Sequence, residues 1–173
     1  IVMGSSHCEP LLFNTASEWK RDKMGEWDYI NNKEGVNKVL KSRVDECAPF
    51  ENVYTLALRG LHDRAMNASN NMDDRKKMLQ EALMAQRQML VDAIGKRAED
   101  IPQAFTPYKE VLDVYDQGLE LPDDVTIIWP DDNYGYMKRL SSPKEQKRSG
   151  RSGVYYHSLS LIHISEPTRQ EAI

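Results

Sequence analysis
The chain has only two cysteines in 173 residues, Cys8 and Cys47. That is too few for a disulfide framework or for a zinc site built from thiolates, and two ordinary thiols are expected. No apolar run approaches the ~18 residues that span a bilayer, so no membrane helix is expected. No Gly-x-Gly-x-x-Gly follows any apolar run, which removes the dinucleotide fingerprint. No compact His-x-His pair marks a metal centre. Charge of either sign is in mild balance, 23 basic against 27 acidic residues for a net −4. Without a clustered basic surface, nucleic acid is not an expected partner. The opening Ile1–Val2–Met3–Gly4 has no charged start ahead of a long apolar stretch, and so does not read as a signal peptide. It begins inside an apolar segment with no initiating methionine, and the expectation is a piece of a longer protein. Internal repeats and low-complexity linkers are absent too.

What is present is the composition of one globular domain, 40% hydrophobic and 29% charged with a mean hydropathy of −0.66. Four short β-rich runs stand out: Ile1–Met3, Val53–Leu58, Val125–Trp129 and Val154–Tyr156. None alternates strictly, as expected of strands buried on both faces of a parallel sheet. Helical spacing of Val36, Leu40, Val44 and Cys47 predicts a first helix, with Asn32 as its cap. Leu79, Leu83, Leu90 and Ile94 stripe a longer one from about Asp73 to Lys96, with acids at its positive end. A third is predicted from about Pro107 to Gln117, capped by Thr106 and stopped by Gly118. The five methionines from Met66 to Met89 read as gap-filling core, and Lys144–Arg151 as a solvated loop.

Strands alternating with helices imply βα units with right-handed crossovers. Polar clusters close each run: Ser6-His7-Cys8-Glu9, Arg59-Gly60-Leu61-His62-Asp63, Asp131-Asp132-Asn133, and His157. Sites of parallel α/β folds form at those carboxyl ends. The fold expected is therefore α/β, a partial (β/α)8 TIM-type barrel of about four βα units, truncated at both ends. Its bounds are residues 1–157. The run Leu159–Arg169, LSLIHISEPTR, matches one reading frame of a transposon-type sequencing adapter, so residues 158–173 are expected to be a non-native tail. The other reading of that run is a short strand followed by a proline-broken tail.

Four stretches resemble the glycoside hydrolase family 115 α-glucuronidases: IVMGSSHCEP, ENVYTLALRGLHD, PYKEVLDVYDQGLELPDD and VTIIWPDDNYGYMKRLSSPKEQKRSGRSGVYYH. The resemblance implies an inverting hydrolase that removes α-1,2-linked, often 4-O-methylated, glucuronic acid from xylan. It implies no cofactor and no metal. Glucuronoxylan or glucurono-xylooligosaccharides are the expected partners, without nucleic acid or membrane. Oligomeric state stays open, a homodimeric parent included, and the parent is expected to be secreted or periplasmic in a microbe.

Inverting hydrolysis needs one protonated carboxyl to serve the leaving oxygen and one ionised carboxylate to activate water. The resemblance places Asp63, Glu110 and Asp131 in the active site, with the acid and base among them and the roles open. For Glu110 the resemblance is the main warrant, since a helix start would otherwise suggest a surface carboxylate stabilised by the dipole. Arg59 suits a bidentate contact with a uronate, and His7, Asn133 and His157 suit hydrogen bonds to carboxylate or hydroxyls. Glu9 fits either a site role or pairing with a nearby base, Trp129 either a sugar platform or a place inside the barrel. His62 and Asp132 are flanking residues. Two rival readings stand beside this: a metal-dependent barrel hydrolase using His7, Glu9, Asp63, Asp131 and His157, and a non-catalytic sugar-binding barrel. The chain as written is expected to be inactive and poorly stable by itself.

Overall fold
The structure, a computed structural model, describes residues 2–132 and 135–156. It is α/β, with a four-stranded, wholly parallel sheet whose strands lie in chain order. They are β1 (Tyr54–Thr55), β2 (Gln103–Phe105), β3 (Thr126–Pro130) and β4 (Ser152–Tyr155). Ahead of β1, Met3 makes a parallel bridge to Asn52, so the opening segment lies beside β1. The described helices are the single turn α1 (Arg21–Met24), then α2 (Lys33–Cys47), α3 (Met72–Ile94) and α4 (Glu110–Asp116). α2 packs on α3 and α3 on α4, the arrangement that right-handed crossovers between sequential parallel strands produce.

The helix-facing layer is the core. Tyr54, Leu56 and Leu58 of the β1 run meet Phe105, Ile127 and Trp129 there, with Val36, Leu40, Val44, Leu79, Leu83 and Leu90 from the helices. Met66 is buried, and Met72, Met78, Met84 and Met89 pack partly buried against that core. Thr55, Ala57 and Arg59 alternate with the apolar set. Gln86, buried in the middle of α3, accepts from Ala57 N at 3.0 Å and donates to Ala57 O at 2.6 Å. One side chain thus satisfies both backbone groups of a buried strand residue.

Three expectations are corrected. β2 was not among the predicted strands. The third helix starts at Glu110 rather than Pro107, because Lys109 takes a φ of 51° and Thr106 to Lys109 runs as the loop after β2. Asn32 precedes α2 but makes no capping bond; its Nδ2 donates to the carbonyls of Met24 and Glu26. α3 is capped by Asn71, which accepts from Asp73 N, and Gly95 closes it at a φ of 70°, just short of the end expected near Lys96.

The Lys144–Arg151 segment holds more than solvated charge. Arg148 is mostly buried and donates to the carbonyls of Leu121, Pro122 and Val125. Gly150 lies so close to the backbone of Asp124 and Val125 that a Cβ would sit 2.5 Å from it. Further out, the Glu145 carboxylate accepts from Arg139, Tyr115 OH and Ser142 N, while Glu145 N–H donates back to Ser142 Oγ. Burial alone would raise Glu145, but the bonds from Arg139, Ser142 and Tyr115 outweigh it and hold it down at about 2. Burial, then the bond to that carboxylate, pushes Tyr115 up to about 12. A depressed carboxylate stabilises the fold above its ordinary value of 4.5, and that contribution is lost as pH falls toward 2. Urea unfolding of wild type and Glu145→Gln should therefore differ by about 2 kcal/mol at pH 6 and converge near pH 2. A constant difference across that range would refute the assignment.

Candidate active site
The carboxyl ends of the strands gather the predicted residues. Asp63 follows β1, Glu110 follows β2 and Asp131 follows β3, so the three acids come from three neighbouring strands. Arg59 is at the centre, its side chain only 3% exposed. Its Nη1 donates to Asp63 Oδ1 at 2.6 Å and its Nη2 to Glu110 Oε2 at 3.1 Å. One planar guanidinium therefore ties two of the acids together. His7 Nε2 meets the same Asp63 Oδ1 at 2.9 Å. Glu110 takes a further bond from Met66 N at 3.2 Å through its other oxygen.

Tyr108 fills the space between these groups. It is buried, its ring centroid 4.4 Å from that of His7, with the Arg59 guanidinium 5.3 Å from the ring centre. Tyr155 of β4 approaches His7 edge-on at 5.7 Å. Neither tyrosine was singled out from the sequence. Tyr108 carried a signal nonetheless, an aromatic two residues before Glu110 in a proline-led loop.

Asp131 is 2% exposed; its N–H donates to Tyr155 O at 3.0 Å, which fixes the end of β3 against β4. It lines a cleft of about 450 Å³ with Tyr108, Lys109, Asp113, Lys138 and Arg139. The cleft wall thus joins Asp131 to the ring that packs on His7 and Arg59. Asp132 ties a turn, its N–H donating to Tyr136 O and its Oδ1 accepting from Tyr136 N. Asn133 and His157 lie outside the described residues, as does the segment 158–173.

The loop that bears Arg59 and Asp63 is sharply folded. His62 and Asp63 both have positive φ, 55° and 59°, a conformation that side chains with a Cβ seldom adopt and that surrounding contacts must hold. Gly60 N donates to Arg64 O across the turn, and a Cβ on Gly60 would lie 2.5 Å from Ala65 O. Two further residues grip this loop. Trp27 Nε1 donates to Arg59 O at 2.7 Å, and Asn67 Nδ2 donates to Asp28 at 2.7 Å. Burial alone would raise Asp28, but bonds from Asn31, Ile30 N and Asn67 prevail and lower it.

Other expectations resolve differently. Among the described residues Glu9 pairs with no base; its carboxylate accepts from Ser6 N and Asn14 Nδ2 and so shapes its own loop. Trp129 borders the cleft of Asp131 but is only 1% exposed, too covered for a stacking platform. It is buried in the helix-facing layer against Tyr115, under Arg139, with its N–H on Ser141 Oγ at 2.7 Å. Both cysteines are free thiols, and burial raises that of Cys8. His7, Cys8 and Asp63 each offer a ligand atom within 4.8 Å of the others. The donor set suits a cation poorly: Arg59 already sits on Asp63, and Glu9, which the metal reading needs, is turned into its own loop.

An α/β domain that collects carboxylates, an arginine and a histidine at the carboxyl ends of successive parallel strands has the layout of a hydrolase site. The sequence model of glycosyl hydrolase family 115 matches residues 1–168, and the chain belongs to that family. Among solved structures it is similar to the family GH115 4-O-methyl-α-glucuronidase BtGH115A, described as having specificity for decorated arabinogalactans. The two are 44% identical with a TM-score of 0.86, over 91% of this chain and 21% of that one. The chain thus spans about a fifth of the length of that relative. No curated protein matches.

Proposed function
We propose that the chain is part of the catalytic barrel of an α-glucuronidase that removes α-1,2-linked, optionally 4-O-methylated glucuronic acid from glucuronoxylan with inversion. The observation that carries this reading is the placement of Asp63, Glu110 and Asp131 after three consecutive parallel strands, around a buried Arg59, in a family 115 chain. A barrel is favoured over a doubly wound sheet because the strands never reverse their order and successive helices pack side by side.

Inversion requires an acid and a base on opposite faces of the sugar, far enough apart to admit water. Asp63 and Glu110 share one guanidinium and so stand on one side. Asp131 lines the cleft that Tyr108 also borders. We assign one role to Asp131 and the other to a member of the linked pair. Lys109 and Lys138, on the same cleft, supply positive charge for a uronate. His7 donates toward substrate hydroxyls in partnership with Asp63, and Asn133 and His157 keep the ligand roles their motifs imply.

The full-length enzyme should be given glucuronoxylan and, because the solved relative acts on them, decorated arabinogalactans. Release of glucuronic acid as the β-anomer, followed by NMR, is expected. A folded enzyme that releases none from either polymer would remove the activity, and a first-formed α-anomer would remove the inverting mechanism. Faster release from arabinogalactan than from xylan would move the substrate to that polymer.

A further inference from the structure
The loop from Arg59 to Asn67 is held at both ends by two adjacent residues of another segment. Trp27 takes the carbonyl of Arg59, and Asp28 takes the amide of Asn67. Between those grips lie the two left-handed residues and Asp63, and one position before Asn67 is Met66, whose N–H binds Glu110 Oε1. The gripping segment is itself rigid. Phe13 stacks on Trp27 at 5.9 Å, Trp19 meets Trp27 edge-on at 4.9 Å, and Asp28 is buried and also accepts from Ile30 N, Asn31 N and Asn31 Nδ2.

Resting on the function proposed above, we infer that Trp27 and Asp28 are positioning residues, which set Arg59, Asp63 and Glu110 by clamping the ends of the loop that bears or binds them. Neither touches the reacting carboxylates. Their effect runs through backbone: a shift at Asn67 moves Met66 N, the only main-chain donor on Glu110 among the described residues. Displacing a carboxylate by even ~1 Å lowers turnover steeply, by up to about 100-fold.

The test uses the full-length enzyme with Asn67→Asp, Asp28→Asn and the double variant. Asn67→Asp sets two carboxylates against each other and opens the clamp. The double variant rebuilds it with donor and acceptor exchanged, Asn31 turning its amide round. Expected for Asn67→Asp is a loss of about 10- to 100-fold in kcat with KM unchanged, together with faster amide exchange across residues 59–67. The double variant should restore both. Trp27→Phe, which deletes the N–H and shortens the buried ring, should move the same readouts in the same direction. The inference falls if Asn67→Asp leaves kcat and exchange as in wild type. It falls equally if the double variant recovers thermal stability but not kcat. If wild type releases no uronic acid, the functional reading fails by itself, and exchange at Met66 still decides whether the clamp holds the loop.

Discussion

Asp131→Asn in the full-length enzyme is expected to reduce release of glucuronic acid by about 10²- to 10⁴-fold, the range that a general acid or base contributes. The side chain keeps its shape but loses its charge and its ability to exchange a proton. Its backbone bond to Tyr155 O does not depend on the carboxylate, so that link between the end of β3 and β4 should stay in place. One limb of the pH–rate profile should vanish with it. The exposed Asp92 on α3, whose carboxylate accepts from Gln88 Nε2, is the control: Asp92→Asn should leave turnover as it was. Equal losses in the two variants would mean that Asp131 has no chemical role.

Arg59→Met should be the most damaging single change to the architecture of the site. Removing the guanidinium leaves Asp63 and Glu110 facing each other without the cation that both of them bind. Breaking a buried ion pair from one side costs about 3–5 kcal/mol, and because Asp63 is a third exposed the lower end applies. The two acids would then compete for ionisation, which should move the active pH range upward as well as lowering turnover. Arg59→Lys should rescue little, since one ammonium cannot reach both carboxylates in the forked geometry of the arginine. Unfolding in urea and a pH–rate profile measure the two effects separately. A variant as stable as wild type with an unmoved profile would overturn the bridging role.

Much of this was legible because the strands are rich in β-branched and aromatic residues, and because Arg59, Asp63 and Asp131 follow them directly in sequence. The hidden piece was β2. Gln103-Ala104-Phe105 is three residues long, has no β-branched member and is flanked by Pro102 and Pro107, so nothing in its pattern announces a strand. Its neighbours on both sides in the sheet define it instead. Missing it made Glu110 look like a stray acid at a helix start, whereas the strand puts Glu110 at a carboxyl end like the other two. Gln86 and Trp27 were equally silent. A glutamine on a helix and a tryptophan in a loop show their roles only when the backbone groups they satisfy, Ala57 and the Arg59 carbonyl, are known.

The monotonic order of the sheet also bears on how the chain is built during translation. Each described strand pairs with the one made just before it, so a nascent chain can extend the sheet one βα unit at a time as it leaves the ribosome. None of the four described strands has to wait for a described neighbour beyond the next one made. Synthesis and assembly can therefore advance in the same direction, with Arg59 already in place when Glu110, and then Asp131, emerge.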